Sequence, residues 1–324
     1  MRSHIIGTGS YVPERVLTNP DLERMVATSD AWIRERTGIQ ERRIAASGEA
    51  CSDLAVKAAE RALESAGIDA ADLDLILLAT CTADVPLPST ACLVQDRLGA
   101  SHAGACDLSA ACTGFVYGLS VADAYVKTGM RYVLVVGSEV MSAIIDWTDR
   151  STCILFGDGA GAVVVGPSEE DRGILSTHLH SDGNLGELIC VPGGGSRHPP
   201  SEKMLSEGLQ YLKMKGNETF KVAVKMLEDV AREALSANHL SIEDVDVYVP
   251  HQANSRILSA VADRLALPIE RVIMNIDRYG NTSAASIPLA LDEGARLGRI
   301  KEGHLVMIGA FGGGLTWGSA LIRW

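Results

Sequence analysis

The chain reads as an α/β protein whose two halves repeat one plan, and three observations carry that reading. Strand-like runs recur at a fixed offset: Asp72-Leu-Asp-Leu-Ile-Leu-Leu78 and Asp244-Val-Asp-Val-Tyr-Val249 begin 172 positions apart (244 minus 72). Val133-Leu-Val-Val-Gly137 and Leu305-Val-Met-Ile-Gly309 keep the same offset (305 minus 133). Helical patterns alternate with these strands, which implies largely parallel sheets covered by helices. Each half also closes on glycines running into an apolar strand, Phe156-Gly-Asp-Gly-Ala-Gly-Ala-Val-Val-Val165 and Phe311-Gly-Gly-Gly-Leu-Thr-Trp-Gly-Ser-Ala-Leu-Ile322. A repeat this long indicates duplicated domains rather than a solenoid.

The elements follow in order. Residues 1–13, ending in Ser10-Tyr-Val-Pro13, read as a first strand and turn, without the pattern of a signal peptide. Leu54-Ala-Val-Lys-Ala-Ala-Glu-Arg-Ala-Leu63 is an amphipathic helix leading to the 72–78 strand. Asp107-Leu-Ser-Ala-Ala-Cys-Thr-Gly-Phe115 is a short loop opening into an apolar helix that reaches Val126. The 133–137 and 156–165 strands complete the first half. The boundary falls in Gly166-Pro-Ser-Glu-Glu-Asp-Arg-Gly173, giving domains 1–170 and 171–324. Pro192-Gly-Gly-Gly-Ser-Arg-His-Pro-Pro200 is the clearest irregular loop. The second half supplies the helix Val222–Ala231, the 244–249 strand, a helix over 257–266, and Tyr279-Gly-Asn-Thr-Ser-Ala-Ala-Ser-Ile-Pro288, which opens another helix. The last two strands follow.

Composition excludes several classes of function. With 324 residues, 47% of them hydrophobic, the chain can bury a large core. No apolar run reaches the roughly 18 residues of a membrane span. A net charge of −12 argues against nucleic acid as a partner. The cysteines at 51, 81, 92, 106, 112, 153 and 190 are odd in number, contain no CxxC pair and lie mostly in apolar segments. That pattern points to a reduced, cytoplasmic protein without disulfides or zinc.

Three residues stand out chemically. Cys112 sits at a helix start, where the positive end of the helix dipole favours a thiolate. His251, in Val249-Pro-His-Gln-Ala-Asn-Ser-Arg256, follows the tip of a central strand. Asn281 lies in the segment that mirrors Cys112 across the repeat, since 112 plus 172 is 284. Active sites of open α/β sheets gather at the carboxyl ends of strands, and a pseudo-twofold would bring those ends together. None of the glycine-rich segments has the strand–GxGxxG–helix context or a P-loop lysine, so nucleotide binding is not indicated. His178 and His180 alternate along a strand, but no third ligand is evident and no metal is expected.

Ala110-Ala-Cys-Thr-Gly-Phe115, Val249-Pro-His-Gln-Ala-Asn254, Tyr279-Gly-Asn-Thr-Ser-Ala-Ala-Ser286 and Ala310-Phe-Gly-Gly-Gly-Leu-Thr-Trp-Gly-Ser319 together resemble the β-ketoacyl-acyl-carrier-protein synthase III family, the initiating condensing enzymes of the thiolase superfamily. The resemblance runs from Ile5 to Trp324. It implies a thiolase-like fold, with βαβαβαββ halves forming a five-layer αβαβα sandwich. It implies a decarboxylating Claisen condensation of an acyl-CoA primer with malonyl-acyl-carrier protein through an acyl-cysteine. The product would be a β-ketoacyl-acyl-carrier protein that starts a fatty acid. A related enzyme priming a polyketide or another specialised acyl product is the alternative. No cofactor is implied, because both thioesters are substrates.

Residue by residue, the resemblance makes Cys112 the nucleophile, His251 and Asn281 the donors to the malonyl thioester, and the N–H groups of Cys112 and Gly313 the oxyanion hole. Thr28, Trp32, Arg36, Arg150 and Asn254 match a CoA site. Arg256 and Lys221 are the candidates for docking the acidic carrier protein, although Asp263 interrupts what in some relatives is a pair of lysines. Leu87 stands where several relatives carry a phenylalanine that reaches across a homodimer into the partner's acyl pocket. A smaller side chain there would deepen the slot.

Overall fold

The computed structural model describes residues 2–170 and 172–324. The first half forms a five-stranded sheet in the order Arg2–Tyr11, Gly159–Ser168, Val133–Glu139, Leu75–Ala79, Gly104–Leu108. Only Gly159–Ser168 runs against its neighbours; the other pairings between neighbours are parallel. The second half forms a sheet in the order Val247–Pro250, Leu305–Gly312, Thr316–Arg323, Gly173–Ser181. There Val247–Pro250 and Leu305–Gly312 are parallel, and Thr316–Arg323 opposes both of its neighbours.

The helices Gly114–Lys127 and Ser286–Arg296 lie between the two sheets. Cys51–Ala66 and Thr90–Leu98 cover the outside of the first sheet, and Gly216–Ala237 and Ser255–Leu265 cover the second. The result is the five-layer αβαβα arrangement. Sequence explains which helix takes which layer. In Gly114–Lys127, Phe115, Val116, Leu119, Ala122 and Val126 are fully buried between sheet residues such as Val135 and Ile308. Burying each large side chain contributes roughly 1.5–3 kcal/mol. Cys51–Ala66 instead buries one stripe, including Leu54, Ala58 and Ala62, and exposes Glu60, Arg61 and Glu64. It sits close on the first strand because Gly7 and Gly9 lack side chains: a Cβ there would lie 2.4 Å from the Ala62 and Ala58 carbonyl oxygens.

The duplication persists in fine detail. The 3₁₀ turn Ala111–Thr113 precedes one central helix, and Ser283–Ala285 precedes the other, 172 positions later (283 minus 111). Each turn opens on a non-glycine residue in the left-handed region, Ala111 at φ 45° and Ser283 at φ 49°. That conformation costs of order 1–3 kcal/mol and is held by the surroundings. The halves differ at one place. The 276–280 segment, counterpart of strand Gly104–Leu108, contains the short helix Ile276–Tyr279, and the second sheet has four strands rather than the expected five. At this edge the buried amide of Gln252 donates to the carbonyls of Pro250 (2.8 Å) and Ile273 (3.0 Å) and accepts from the Asn275 N–H (3.0 Å), and the Ile273 N–H donates to the Tyr248 carbonyl (2.9 Å). The Gln252 side chain thus takes the Pro250 carbonyl at the strand's end, and one bridge, Tyr248 to Val272, stands at this edge.

Candidate active site

One cavity of about 300 Å³ reaches Cys112, His251 and Asn281 together. It lies where the two halves meet, and each residue is delivered by a different local device. Cys112 occupies the turn Ala111–Thr113, partly accessible through the cavity. Gly312, at the end of a central strand, fits against it; a Cβ at 312 would stand 2.7 Å from the Cys112 nitrogen. Gly313 and Phe311 also line the cavity, so the Cys112 and Gly313 backbones converge on one space.

His251 follows strand Val247–Pro250, its N–H bonded to the Gly309 carbonyl at 2.8 Å. Its Nδ1 lies 2.6 Å from Ser286 Oγ, the first residue of the second central helix. Ser286 Oγ also accepts from the Gln252 N–H (3.3 Å), so its own proton is available to donate to Nδ1. This pairing favours the tautomer with the proton on Nε2. Burial holds the imidazole pKa down at about 3, so the ring is neutral near pH 7.

Asn281 is fixed by the first half of the chain. Its N–H donates to the Leu155 carbonyl at 2.8 Å, and its carbonyl accepts from the Gly157 N–H at 3.0 Å. Its Oδ1 accepts from the Ser283 N–H at 2.9 Å. With the oxygen so engaged, the amide NH2 is left as the group free to donate. The neutral His251 and Asn281 therefore form a donor pair, suited to an oxygen that gains negative charge.

The state of Cys112 departs from the dipole-based expectation. Burial dominates and pushes its thiol up to about 12, with the Glu139 carboxylate adding to the rise; the Ser283 hydroxyl and the residue's own N–H pull it down. The resting group is a thiol, because enclosure in a low-dielectric cavity outweighs one helix terminus.

The other expected positions divide. Trp32, Arg36 and Asn254 line the mouth of the same cavity. The Arg150 guanidinium lies 4.8 Å from the Trp32 ring centroid and that of Arg36 5.8 Å, so the indole is flanked by two cations. Arg150 and Thr28 are not among the residues that line the cavity; Arg150 is exposed and donates to the Ala27 carbonyl at 2.9 Å, and the buried Thr28 hydroxyl has no hydrogen-bond partner among the described residues. Asn254 Nδ2 donates to the Arg36 carbonyl at 3.0 Å, tying the two halves together at the mouth. Arg256 is exposed beside the cavity-lining Phe220, 5.7 Å from its ring, and Lys221 is exposed on the neighbouring helix. Arg264 is engaged with Glu228 at 3.1 Å. Leu87 is 86% exposed and outside this chain's cavity. His178 and His180 both face Glu233, at 3.3 and 2.6 Å.

Sequence reasoning missed Ser283, Ser286 and Glu139. The two serines lay inside the segment that flagged Asn281, and the offset pairs Ser283 with Ala111. Glu139 ends a run of buried strand residues, where a carboxylate ordinarily marks a return to solvent; here it is fully buried.

Comparison with known proteins places this geometry. The family profiles for 3-oxoacyl-(acyl-carrier-protein) synthase III match residues 106–183 and, for its C-terminal part, 235–324. The β-ketoacyl-acyl-carrier-protein synthase III of Alkalilimnicola ehrlichii is 57% identical over 324 residues, 99% of each chain. The chain belongs to the β-ketoacyl-acyl-carrier-protein synthase III family. It is thus an acyltransferase-type condensing enzyme of fatty acid initiation. The crystal structure of the 3-oxoacyl-acyl-carrier-protein synthase III of Aquifex aeolicus, 50% identical, superposes with a TM-score of 0.92 over 99% of this chain and all of that one. The priming β-ketosynthase of the R1128 polyketide pathway is a more distant neighbour, 39% identical with a TM-score of 0.91 over 99% of this chain and 96% of that one.

Proposed function

We propose that Cys112 is the nucleophile of this synthase and that His251 and Asn281 act in decarboxylation. Cys112 sulfur attacks the carbonyl of an acyl-CoA, the Cys112 and Gly313 N–H groups hold the tetrahedral oxyanion, and CoA leaves as a thiolate. Malonyl-acyl-carrier protein then places its thioester oxygen between His251 Nε2–H and the Asn281 amide. Loss of CO2 puts negative charge on that oxygen, and the two donors stabilise it as it develops. The carbanion attacks the acyl-cysteine, which returns the cysteine and yields a β-ketoacyl-acyl-carrier protein. No cofactor enters; both thioesters are substrates. The observation that carries this reading is the shared cavity, where a thiol from one half faces a neutral histidine and an oriented amide from the other.

The cavity mouth suits the rest of the substrates. Trp32 with its flanking arginines would stack the adenine and meet phosphate. Arg256 and Lys221 would attract the acidic carrier protein. Strand Gly104–Leu108 is an open sheet edge and Leu87 a protruding leucine, both suited to burial in a homodimer. No helix among the described residues is long and apolar enough to cross a membrane, and we place the enzyme in the cytoplasm, where its seven cysteines stay reduced.

The test separates the half-reactions. His251→Ala and Asn281→Ala should lose malonyl decarboxylation by about 10²–10³-fold, as removal of a single oxyanion donor does, while still acylating Cys112. Decarboxylation surviving in both variants would overturn the roles.

A further inference from the structure

The donor role of Asn281 depends on which way its amide faces. The same side chain can present an accepting oxygen or a donating nitrogen, and only the nitrogen stabilises a developing oxyanion. The bond that fixes the choice runs from the Ser283 N–H to Asn281 Oδ1, at 2.9 Å. That N–H belongs to a residue in the left-handed region, at φ 49°. A serine holds this conformation only where its surroundings impose it.

Behind the turn stands a buried carboxylate with no part in the steps above. Glu139 ends the strand Val133–Glu139, is 0% exposed and does not line the cavity. Its Oε2 accepts from the hydroxyls of Thr82 (2.6 Å) and Thr80 (3.1 Å) and from the Cys81 N–H (3.1 Å). Those two hydroxyls accept in turn from the Val140 N–H (2.9 Å) and the Thr82 N–H (3.0 Å), which leaves their protons for the carboxylate. With Oε2 pinned, Oε1 faces the turn and accepts from the Ser283 hydroxyl at 2.9 Å and the Cys81 thiol at 3.3 Å. Backbone packing sets the approach: a Cβ on Gly137, two residues before Glu139, would stand 2.2 Å from the Ala284 carbonyl oxygen.

The repeat shows that this tether is not part of the shared scaffold. The residue matching Ser283 is Ala111, which takes the same conformation at φ 45° with no hydroxyl. The position matching Glu139 is Phe311 (139 plus 172). Of the two turns, the one that holds an amide side chain in place is the one with a carboxylate behind it.

We infer that Glu139, through its bond to the Ser283 hydroxyl, is a positioning residue for decarboxylation. It holds the 283 turn so that the Ser283 N–H keeps Asn281 Oδ1 and the amide NH2 faces the malonyl thioester oxygen. Two bonds of 2.9 Å join carboxylate to amide, one to each end of Ser283. No proton moves along them.

The tether rests on Asn281 being a donor in decarboxylation, and the test keeps the two apart. Acylation of Cys112 by acetyl-CoA and CO2 release from malonyl-acyl-carrier protein on the acylated enzyme are measured separately. The proteins are the parent, Ser283→Ala, Ser283→Gly, Glu139→Gln, Asn281→Ala and the Ser283→Ala/Asn281→Ala double variant. Alanine already holds this conformation in the mirrored turn, and glycine adopts it without strain, so both serine variants keep the turn and lose the tether. Each should lose about tenfold in kcat for CO2 release, with KM and the acylation rate at the parent values. Glu139→Gln, which keeps the shape but not the charge, should lose in the same step. The double variant should match Asn281→Ala, because a residue that acts through Asn281 has nothing to position once the amide is gone.

CO2 release at the parent rate in Ser283→Ala or in a folded Glu139→Gln overturns the inference. So does recovery in Ser283→Gly, which would assign the loss to strain. Equal losses in both half-reactions, or a further tenfold loss in the double variant, overturn it as well. Should Glu139→Gln fail to fold, the serine pair decides, since the hydroxyl they remove is the one bonded to Glu139. CO2 release at the parent rate in Asn281→Ala would instead overturn the donor reading, and the tether with it.

Discussion

His251 makes stability depend on pH in a way that can be worked out beforehand. The side chain is 2% exposed, and burial lowers its pKa from 6.5 to about 3. An unfolded chain binds a proton at this histidine below pH 6.5; the folded chain does not until pH approaches 3. The unfolded state therefore binds more protons in that window, and stability falls as pH falls, by about 1.4 kcal/mol per unit. Above pH 6.5 the contribution is fully present. Integrated from pH 6.5 to 4.5, the loss is about 2 kcal/mol, a sizeable part of the roughly 5–15 kcal/mol that holds a domain folded. His251→Gln removes the titration while keeping a neutral polar side chain. Urea unfolding of both proteins at pH 6.5, 5.5 and 4.5 isolates the difference, because the other seven histidines and every carboxylate are common to both. The variant starts less stable, having lost the Ser286 bond, and the gap should close by about 2 kcal/mol by pH 4.5. Parallel stability curves would refute the neutral, buried histidine. The donor role of His251 would then lose its basis, since an imidazolium would titrate within the working range.

Two further predictions follow from the same geometry. Alkylation of Cys112 by iodoacetamide, read by peptide mass spectrometry, should rise with pH without a plateau below about pH 10, because burial pushes the thiol up to about 12; a plateau near pH 7 would mean the dipole wins after all. Gly312→Ala places a methyl 2.7 Å from the Cys112 nitrogen. The backbone must give way, at a cost of about 1–3 kcal/mol in stability, and acylation should fall about 10²-fold, as misplacement of a reacting group by an ångström does; rates and melting temperature within error of the parent would contradict the close fit.

Much of this was legible in the chain, for reasons tied to particular residues. The 172-residue offset survived because paired strands such as Val133–Glu139 and Leu305–Gly312 do the same structural work in both halves. It foretold that Cys112 and the Tyr279–Pro288 segment, which holds Asn281, would occupy mirrored positions before the two central helices. The missing fifth strand was not legible, because the short helix Ile276–Tyr279 that stands in its place is held by contacts such as those of the Gln252 side chain, which leave no period to detect. Enclosure hid the state of Cys112: sequence displays a helix start but not the depth of the cavity around it. Glu139 was hidden by the same depth, since a charged residue at a strand end looks like a solvent contact until the Thr82 and Ser283 hydroxyls are seen to surround it.

The account stands or falls on where the acyl group goes. Parent and Cys112→Ser proteins are incubated with acetyl-, isobutyryl- and longer acyl-CoAs offered together, digested, and each cysteine peptide weighed. The account predicts one added acyl group per chain, on the Cys112 peptide alone, and none on any peptide of the Cys112→Ser protein. An acyl group on Cys81 or another residue, or persistent acylation of the Cys112→Ser chain, would contradict it.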